Sequence, residues 1–321
     1  MNQPQPADIA ASGAAALFAK LRKDFLKYRG AYLMVLPVLA FYIIFAYKPM
    51  FGAIIAFKNF SPRVGIFDSP WARSHGFEHF LSFFKSFYFT RVVGNTLIIS
   101  ISGILFSFPV PIIFALLLNE VKSKHFKRTV QTIAYMPHFI SLVVVCSMIV
   151  MFTQNNGFIV QIMTMLGYQG TGSLLNKQNA FVPIYIISGI WQEMGWSCII
   201  YLAALSSIDQ ELYEAARIDG ANRFKQTIHI TFPGIMGTII LLLILRIGSL
   251  MNVGHEKIIL LYNESIYQTA DVISSFVFRR GLVNGDWSFS TAVGLFNSVI
   301  NFTLVMLANW LSNKYAGMGI W

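Results

Sequence analysis

The chain has 321 residues, 55% of them hydrophobic and 12% charged, with a net charge of +10 and a mean hydropathy of +0.60. A soluble domain carries about twice that charged fraction, so the composition excludes an ordinary soluble protein and points to an integral membrane one. The basic residues sit between apolar runs and not in an aromatic-interleaved patch, which excludes nucleic acid as the partner and reads as a topology signal.

Residues 1–30 form a tail. Leu17, Leu21, Phe25 and Tyr28 recur at helical spacing with Lys20, Lys23 and Lys27 between them. That pattern suits an amphipathic helix on the cytosolic membrane surface, although residues before Ala15 read equally well as a solvated tail. No apolar core followed by a cleavage site is present there, so no cleavable signal peptide is expected.

Six apolar runs follow, at Ala31–Tyr47, Asn95–Leu118, Thr132–Phe152, Pro183–Leu205, Phe232–Met251 and Ala292–Leu311. Each approaches the ~20 residues a helix needs to cross the hydrocarbon core. The expected fold is therefore an all-α integral membrane protein with six transmembrane helices. Residues 31–94 hold the first span and an outer loop, residues 95–311 a five-span core, and residues 312–321 a C-terminal tail. The stretch "FEHFLSFFKSFYF" in that first loop has the look of an amphipathic piece at the membrane interface. Cys146 and Cys198 lie inside apolar runs and read as small buried hydrophobes, with no disulfide or metal site implied.

Basic residues set the orientation. Lys20, Arg22, Lys23, Lys27 and Arg29 precede the first run, and Lys122, Lys124, Lys127 and Arg128 lie between the second and third. Arg217, Arg223 and Lys225 lie between the fourth and fifth, and Lys314 follows the sixth. These regions fall on one side, which should be the cytosol, so both termini should be inside. The first outer loop goes against the trend, with Lys58, Arg63, Arg73, Lys85 and Arg91.

The link over residues 206–233 is the most polar part of the second half. Ser207-Ile-Asp-Gln210 has the form of a capping box, predicting a helix start. Leu205, Ile208, Leu212, Ala215 and Ala216 are spaced to share one apolar face. Gly220 falls where that helix should end in a left-handed residue. Asn222 suits the N-cap of a second short helix carrying Phe224 and Ile228, and Pro233 is placed to open the fifth span. The pattern predicts a compact knob with small residues at its tip. The plainer alternative is a solvated linker.

Here "EAARIDGANRFKQTIHITFP" resembles the EAA motif in permease subunits of binding-protein-dependent ABC importers. Glu214, Ala215, Ala216, Asp219, Gly220, Ala221, Phe224 and Pro233 match that motif without a gap. "GIWQEMGWSCIIYLAALSSID", "TADVISSFVFRRGL", "STAVGLFNSVINF", "YKPMFGAIIAFKNFSP" and the final Gly-Ile-Trp resemble the polysaccharide and oligosaccharide branch of that family. The likeness covers Tyr32 to Trp321 and leaves the N-terminal tail without a counterpart.

The resemblance implies a type I ABC importer fold in the bacterial plasma membrane. It implies that the eight motif residues form a coupling helix docked on a separate ATPase. It further implies a second homologous permease, two copies of the ATPase subunit, and an extracellular or periplasmic solute-binding protein that delivers a complex or oligomeric saccharide. No Gly-x-x-x-x-Gly-Lys-[Ser/Thr] phosphate loop is present, so the chain is not expected to be an enzyme. It needs no cofactor of its own, ATP and Mg being bound by the partner.

Glu193 and Arg246 are ionisable and lie deep in apolar runs. A charge there costs ~2.5–3.5 kcal/mol on insertion scales and needs a reason. Counting from the span ends puts both between the midplane and the outer third of a core ~30 Å thick. They either pair with each other, line one polar cavity, contact substrate, or contact a second permease. Trp191 and Trp196 flank Glu193 and are candidates to face sugar rings, though interfacial anchoring is the commoner use of such residues. Asn252, His255 and Glu256 are candidates for a cavity mouth. His138 reads as a local hydrogen-bonding residue.

Two rival functions remain at this level. A secondary transporter or channel predicts ion sites and inverted repeats, and no internal repeat is apparent. A membrane enzyme acting on lipid-linked sugars needs converging acid and base groups, and Glu193 is the one carboxylate deep in a run.

Overall fold

The computed structural model describes Phe25 and residues 27–320. The proposed surface helix around Leu17 and Leu21, and the final Trp321, lie outside the described residues. Among the described residues every regular element is helical, apart from one antiparallel bridge between Lys58 and Trp71.

Helix α1 spans Arg29–Phe57, well beyond the apolar run predicted for it. The short α2 spans Glu78–Phe84, and α3 spans Tyr88–Glu120. Helix α4 is Lys124–Tyr135, α5 is Leu142–Thr153, and α6 is Phe158–Met165. Helix α7, Gln178–Ser206, is the long central element. The polar link forms α8, Gln210–Ile218, and α9, Arg223–Gly234. Helices α10, Met236–Gly248, α11, His255–Leu261, and α12, Ile273–Val277, lead to α13, Trp287–Ala316.

Prolines shape three of these helices in one way. Wide π turns occupy Ile43–Tyr47, Gly103–Ser107 and Thr227–Thr231. Each ends two residues before a proline: Pro49, Pro109 and Pro233. Proline lacks the N–H that would close the preceding turn, and its ring collides with the carbonyl four residues back. Widening the turn by one residue moves that carbonyl aside, so the helix bends instead of ending.

Among the described residues four helices are long and apolar enough to cross a membrane: Arg29–Phe57, Tyr88–Glu120, Leu142–Met165 and Trp287–Ala316. The pair Arg223–Gly234 and Met236–Gly248, bent by 56°, makes a fifth if taken as one crossing. Helix α7 has 29 residues, or about 43 Å, and Gln192 and Glu193 in its middle lower its apolarity.

Two predicted boundaries and one predicted role change. The third run is broken, because Pro137 sits in a tight turn at Met136–Phe139 and Ser141 caps a new helix by accepting from the Val144 N–H. Pro233 does not open the fifth span; it lies within α9, and the axis turns at Ile235. The loop piece α2 also does more than lie at an interface. Phe83 is 1% exposed, and its ring meets Phe89, Phe289 and Phe296 at centroid distances of 5.1, 6.1 and 5.5 Å.

The apolar core is in three clusters. One, at the end near α8 and α9, joins Ala115, Leu118, Cys198, Tyr201, Ile208 and Ile235. The other two lie toward the far end, around Phe181 and Ile258 and around Phe83 and Phe289. Helix α7 crosses α4 so closely that a Cβ at Gly195 would collide with the Ala134 carbonyl oxygen. Lys58, counted above with the loop charges, is buried. Its Nζ donates to the Ile66 and Phe67 carbonyls at 3.0 and 2.6 Å.

Candidate functional site

The polar hairpin is built from local signals. Its cap is Asp209, not Ser207: the Asp209 carboxylate accepts from the Glu211 N–H at 3.0 Å, and α8 starts at Gln210. Asp competes well for this position because its side chain reaches the free N–H groups of the first turn. Helix α8 stops at Ile218, and the chain turns at Gly220, whose φ is +74°. The Ala221 N–H donates to the Ala216 carbonyl at 2.8 Å, and the Gly220 N–H to the Arg217 carbonyl at 3.1 Å. This paired closure fixes the direction of the chain leaving the helix.

Asn222 then caps α9 by accepting from the Lys225 N–H at 2.9 Å. Gln226 Nε2 donates to the Ala221 carbonyl at 2.8 Å, which locks the turn from its far side. Tyr213 and Thr231 join the two arms by a hydroxyl pair at 3.0 Å, and Arg223 reaches Glu120 on α3 at 2.7 Å.

The predicted apolar face divides in two. Leu205 and Ile208 are buried in the nearby core, whereas Leu212 is 53% exposed. Ile218 and Phe224 are 86% and 73% exposed. Glu214, Ala215, Asp219, Gly220 and Pro233 are also exposed, with Ala216 and Ala221 half-buried. The knob thus offers apolar side chains and bare backbone that none of the described residues covers.

The second feature is a cavity of about 880 Å³ between α3, α7 and α10. It brings together Glu193, Trp196, Arg246 and Asn252 of the predicted pathway residues. Trp191 is not among its walls. Residues two apart on a helix point about 200° apart, so Trp191 cannot share the face of Glu193, whereas Trp196, three residues on, does.

Glu193 and Arg246 share the cavity without pairing. Glu193 Oε2 instead meets His138 Nδ1 at 3.0 Å. The His138 ring lies flat on Trp196, with centroids 4.5 Å apart and planes 2° apart. The tight turn around Pro137 puts His138 there. Asn252 accepts from Asn297 Nδ2 at 2.7 Å. His255 and Glu256 are not among the cavity walls; His255 lies over the Phe278 ring at 5.4 Å.

Sequence reasoning missed Lys257. It follows the fifth run in a segment read only as outer loop, yet it lines the cavity. Its Nζ donates to the Tyr185 carbonyl at 3.1 Å and lies 4.7 Å from that ring's centroid. Burial pushes its ammonium down to about 8 from its ordinary value of 10.5.

A second missed constellation lies near the far end. Asp271 is fully buried and receives Arg279 Nη2 at 2.8 Å and Arg91 Nη2 at 3.2 Å. Ser275 donates to its other oxygen at 2.8 Å, and Asn95 holds the Asp271 carbonyl at 2.9 Å. This one carboxylate ties α3 to the segment that leads into α12.

The family described as "Binding-protein-dependent transport system inner membrane component" matches residues 107–316. The chain belongs to this family. The match contains the hairpin and most of the cavity walls, with Ile99, Ser100, Gly103 and Ile104 lying just before it. As an inner-membrane component of a binding-protein-dependent transport system the chain is a permease subunit, not an enzyme.

Named relatives agree with the assignment. Protein LplB of Bacillus subtilis is 42% identical over 314 residues, covering 97% of this chain and 96% of that protein. The polygalacturonan/rhamnogalacturonan transport system permease YteP of the same organism is 43% identical over 291 residues, covering 90% of this chain and 89% of that protein. A subunit of a bacterial alginate ABC transporter, solved in complex with an alginate pentasaccharide-bound periplasmic protein, superposes with a TM-score of 0.85 at 41% identity. That likeness covers 94% of this chain and all of the solved one, and the all-α fold is that of ABC importer permeases.

Proposed function

We propose that this permease subunit imports an oligosaccharide, handed over by a solute-binding protein and driven by ATP hydrolysis on a separate subunit. The carrying observation is the exposed knob. Its eight motif residues stand on a hairpin locked by two caps and a glycine with φ +74°. A rigid projection transmits force between a soluble motor and membrane helices, where a flexible linker does not. Glu214, Ala215, Ala216, Asp219, Gly220, Ala221 and Phe224 meet the ATPase. Pro233 belongs to the arm that carries its motion toward the bend at Ile235.

Helix α1 supports the presence of a second permease. Among the described residues none of its most apolar window is buried, and Leu33 and Met34 are 72% and 80% exposed. A second homologous subunit covers part of that surface and lipid the rest. The orientation that suits the basic links has the hairpin and both termini in the cytosol, with α7 as the sixth crossing. Glu193, Trp196, Arg246 and Asn252 lie on the translocation pathway.

The test is reconstitution of the subunit with its genomic neighbours in vesicles. Loaded binding protein should raise ATP hydrolysis several-fold and drive accumulation of oligosaccharide. Accumulation driven by an ion gradient without ATP would instead mark a secondary transporter.

A further inference from the structure

The cavity carries more positive charge than its own walls neutralise. Two basic side chains, Arg246 and Lys257, line it against one carboxylate, Glu193. That carboxylate is already engaged by His138 at 3.0 Å. Among the described residues Arg246 makes no ion pair, and Lys257 is held by a neutral acceptor, the Tyr185 carbonyl.

Both cations stand over glycine. A Cβ at Gly103 would lie 3.2 Å from Arg246 Nη2, and one at Gly189 would lie 3.4 Å from Lys257 Nζ. Side chains at those two positions would crowd the charged heads. Their absence leaves the guanidinium and the ammonium open to the same space from different helices.

A cation at membrane depth is expensive and is kept where it meets a counter-charge or a passing ion. Sugar hydroxyls offer it hydrogen bonds but no charge. A carboxylate offers both, and its two oxygens match the fork of a guanidinium.

We propose that Arg246 and Lys257 are charge-reading residues for an acidic cargo, an oligosaccharide whose rings carry carboxylates. Arg246 takes one ring carboxylate through both nitrogens. Lys257 meets a second acid group or the same one from the α11 side. Glu193, held by His138, repels a carboxylate that enters in the wrong register. Sulfated sugars fit less well, since the planar guanidinium fork matches a planar carboxylate more closely than a tetrahedral sulfate ester. The proposal rests on the import reading above, and deepens it.

The test uses the complete transporter in vesicles with ATP on the ATPase side. The binding protein is loaded from an equimolar mixture of oligogalacturonides, neutral xylo-oligosaccharides and sulfated carrageenan oligosaccharides. Accumulated sugars are identified by mass spectrometry. Oligogalacturonides should exceed each other class by tenfold or more. With the same binding protein, Arg246→Met should lower their uptake at least tenfold, and Arg246→Lys should keep a clear preference for them. Co-purification of the partner subunits checks assembly of both variants.

Predominant uptake of neutral or sulfated sugars would overturn the proposal and leave the import reading standing. Parental uptake of oligogalacturonides by an assembled Arg246→Met transporter would also overturn it. If Arg246→Met fails to assemble, Arg246→Lys decides, because loss of the acid preference in that assembled variant contradicts charge reading. Uptake of nothing at all removes the import reading, and this proposal with it.

Discussion

Glu193 on α7 is bound to His138, 3.0 Å away, and not to Arg246, which shares its cavity. Residues fifty-five apart in sequence are joined because Pro137 breaks the third apolar run and turns His138 toward α7. The pair is partly exposed, with side-chain accessibilities of 28% and 50%, so its contribution to stability is modest.

A double-mutant cycle checks this pairing. Glu193→Gln with His138→Ala should show a coupling energy of about 0.5–1 kcal/mol in thermal unfolding of the purified complex. The cycle of Glu193→Gln with Arg246→Gln should show coupling close to zero. The reverse ranking would assign the ion pair to Arg246.

Asp271 should be far more sensitive. Asp271→Asn leaves Arg91 and Arg279 facing a neutral group that is fully buried. Removing one partner of a buried charge cluster typically costs about 3–5 kcal/mol. Both arginines are about a quarter exposed, so a loss near the lower figure, about 3 kcal/mol, is expected. The readout is the midpoint of thermal unfolding in detergent. A midpoint within a degree of the parent would mean the cluster is not holding α3 to the far-end segment.

Gly195 tests the helix crossing. Gly195→Val would push a side chain into the Ala134 carbonyl. Overpacking of this kind costs about 1–3 kcal/mol, and backbone on the opposing helix cannot rotate away. The variant should purify in lower yield and unfold earlier, while Gly294→Val, where a Cβ meets nothing within 4 Å, should not.

How much of this was readable in advance depended on distance along the chain. The hairpin was legible because Gly220, Asn222 and the small residues act on neighbours one turn away. The cap moved from Ser207 to Asp209, both being good acceptors two residues apart, and Pro233 fell inside α9 instead of opening the next span. The spans were legible as apolar runs, but their ends were not, since Tyr88–Val93 and Gln178–Val182 continue the helix without being strongly apolar. Trp191 was separable from Trp196 by helical spacing alone. Lys257, His138 and Asp271 were not legible, because each gains its role from partners on a different helix.

Transport should also depend on pH through Lys257. Its folded value is about 8, below its ordinary 10.5. The unfolded chain therefore binds the proton more tightly, so stability from this group rises as pH goes from about 8 to 10.5. Cargo binding runs the other way: the cation is present below about 8 and is lost above it. The groups facing it are Cys146, Tyr185 and Glu193. Uptake of acidic oligosaccharide should fall between pH 7 and pH 9, and Lys257→Arg should flatten that fall relative to the parent. Identical profiles in parent and variant would remove Lys257 from cargo recognition.

The most direct measurement concerns the knob. Gly220 holds a φ of +74°, a conformation that a β-branched residue resists, and a Cβ there meets nothing within 4 Å. Gly220→Val should therefore redirect the hairpin through backbone strain, leaving the membrane helices folded. Reconstituted with its partners and loaded binding protein, the variant should lose ATPase docking, or dock and lose at least nine-tenths of coupled uptake. Glu214→Ala, which removes a side chain and keeps the turn, should be milder. If Gly220→Val docks, hydrolyses ATP and imports cargo like the parent, the hairpin is only a linker and force reaches the spans by another route.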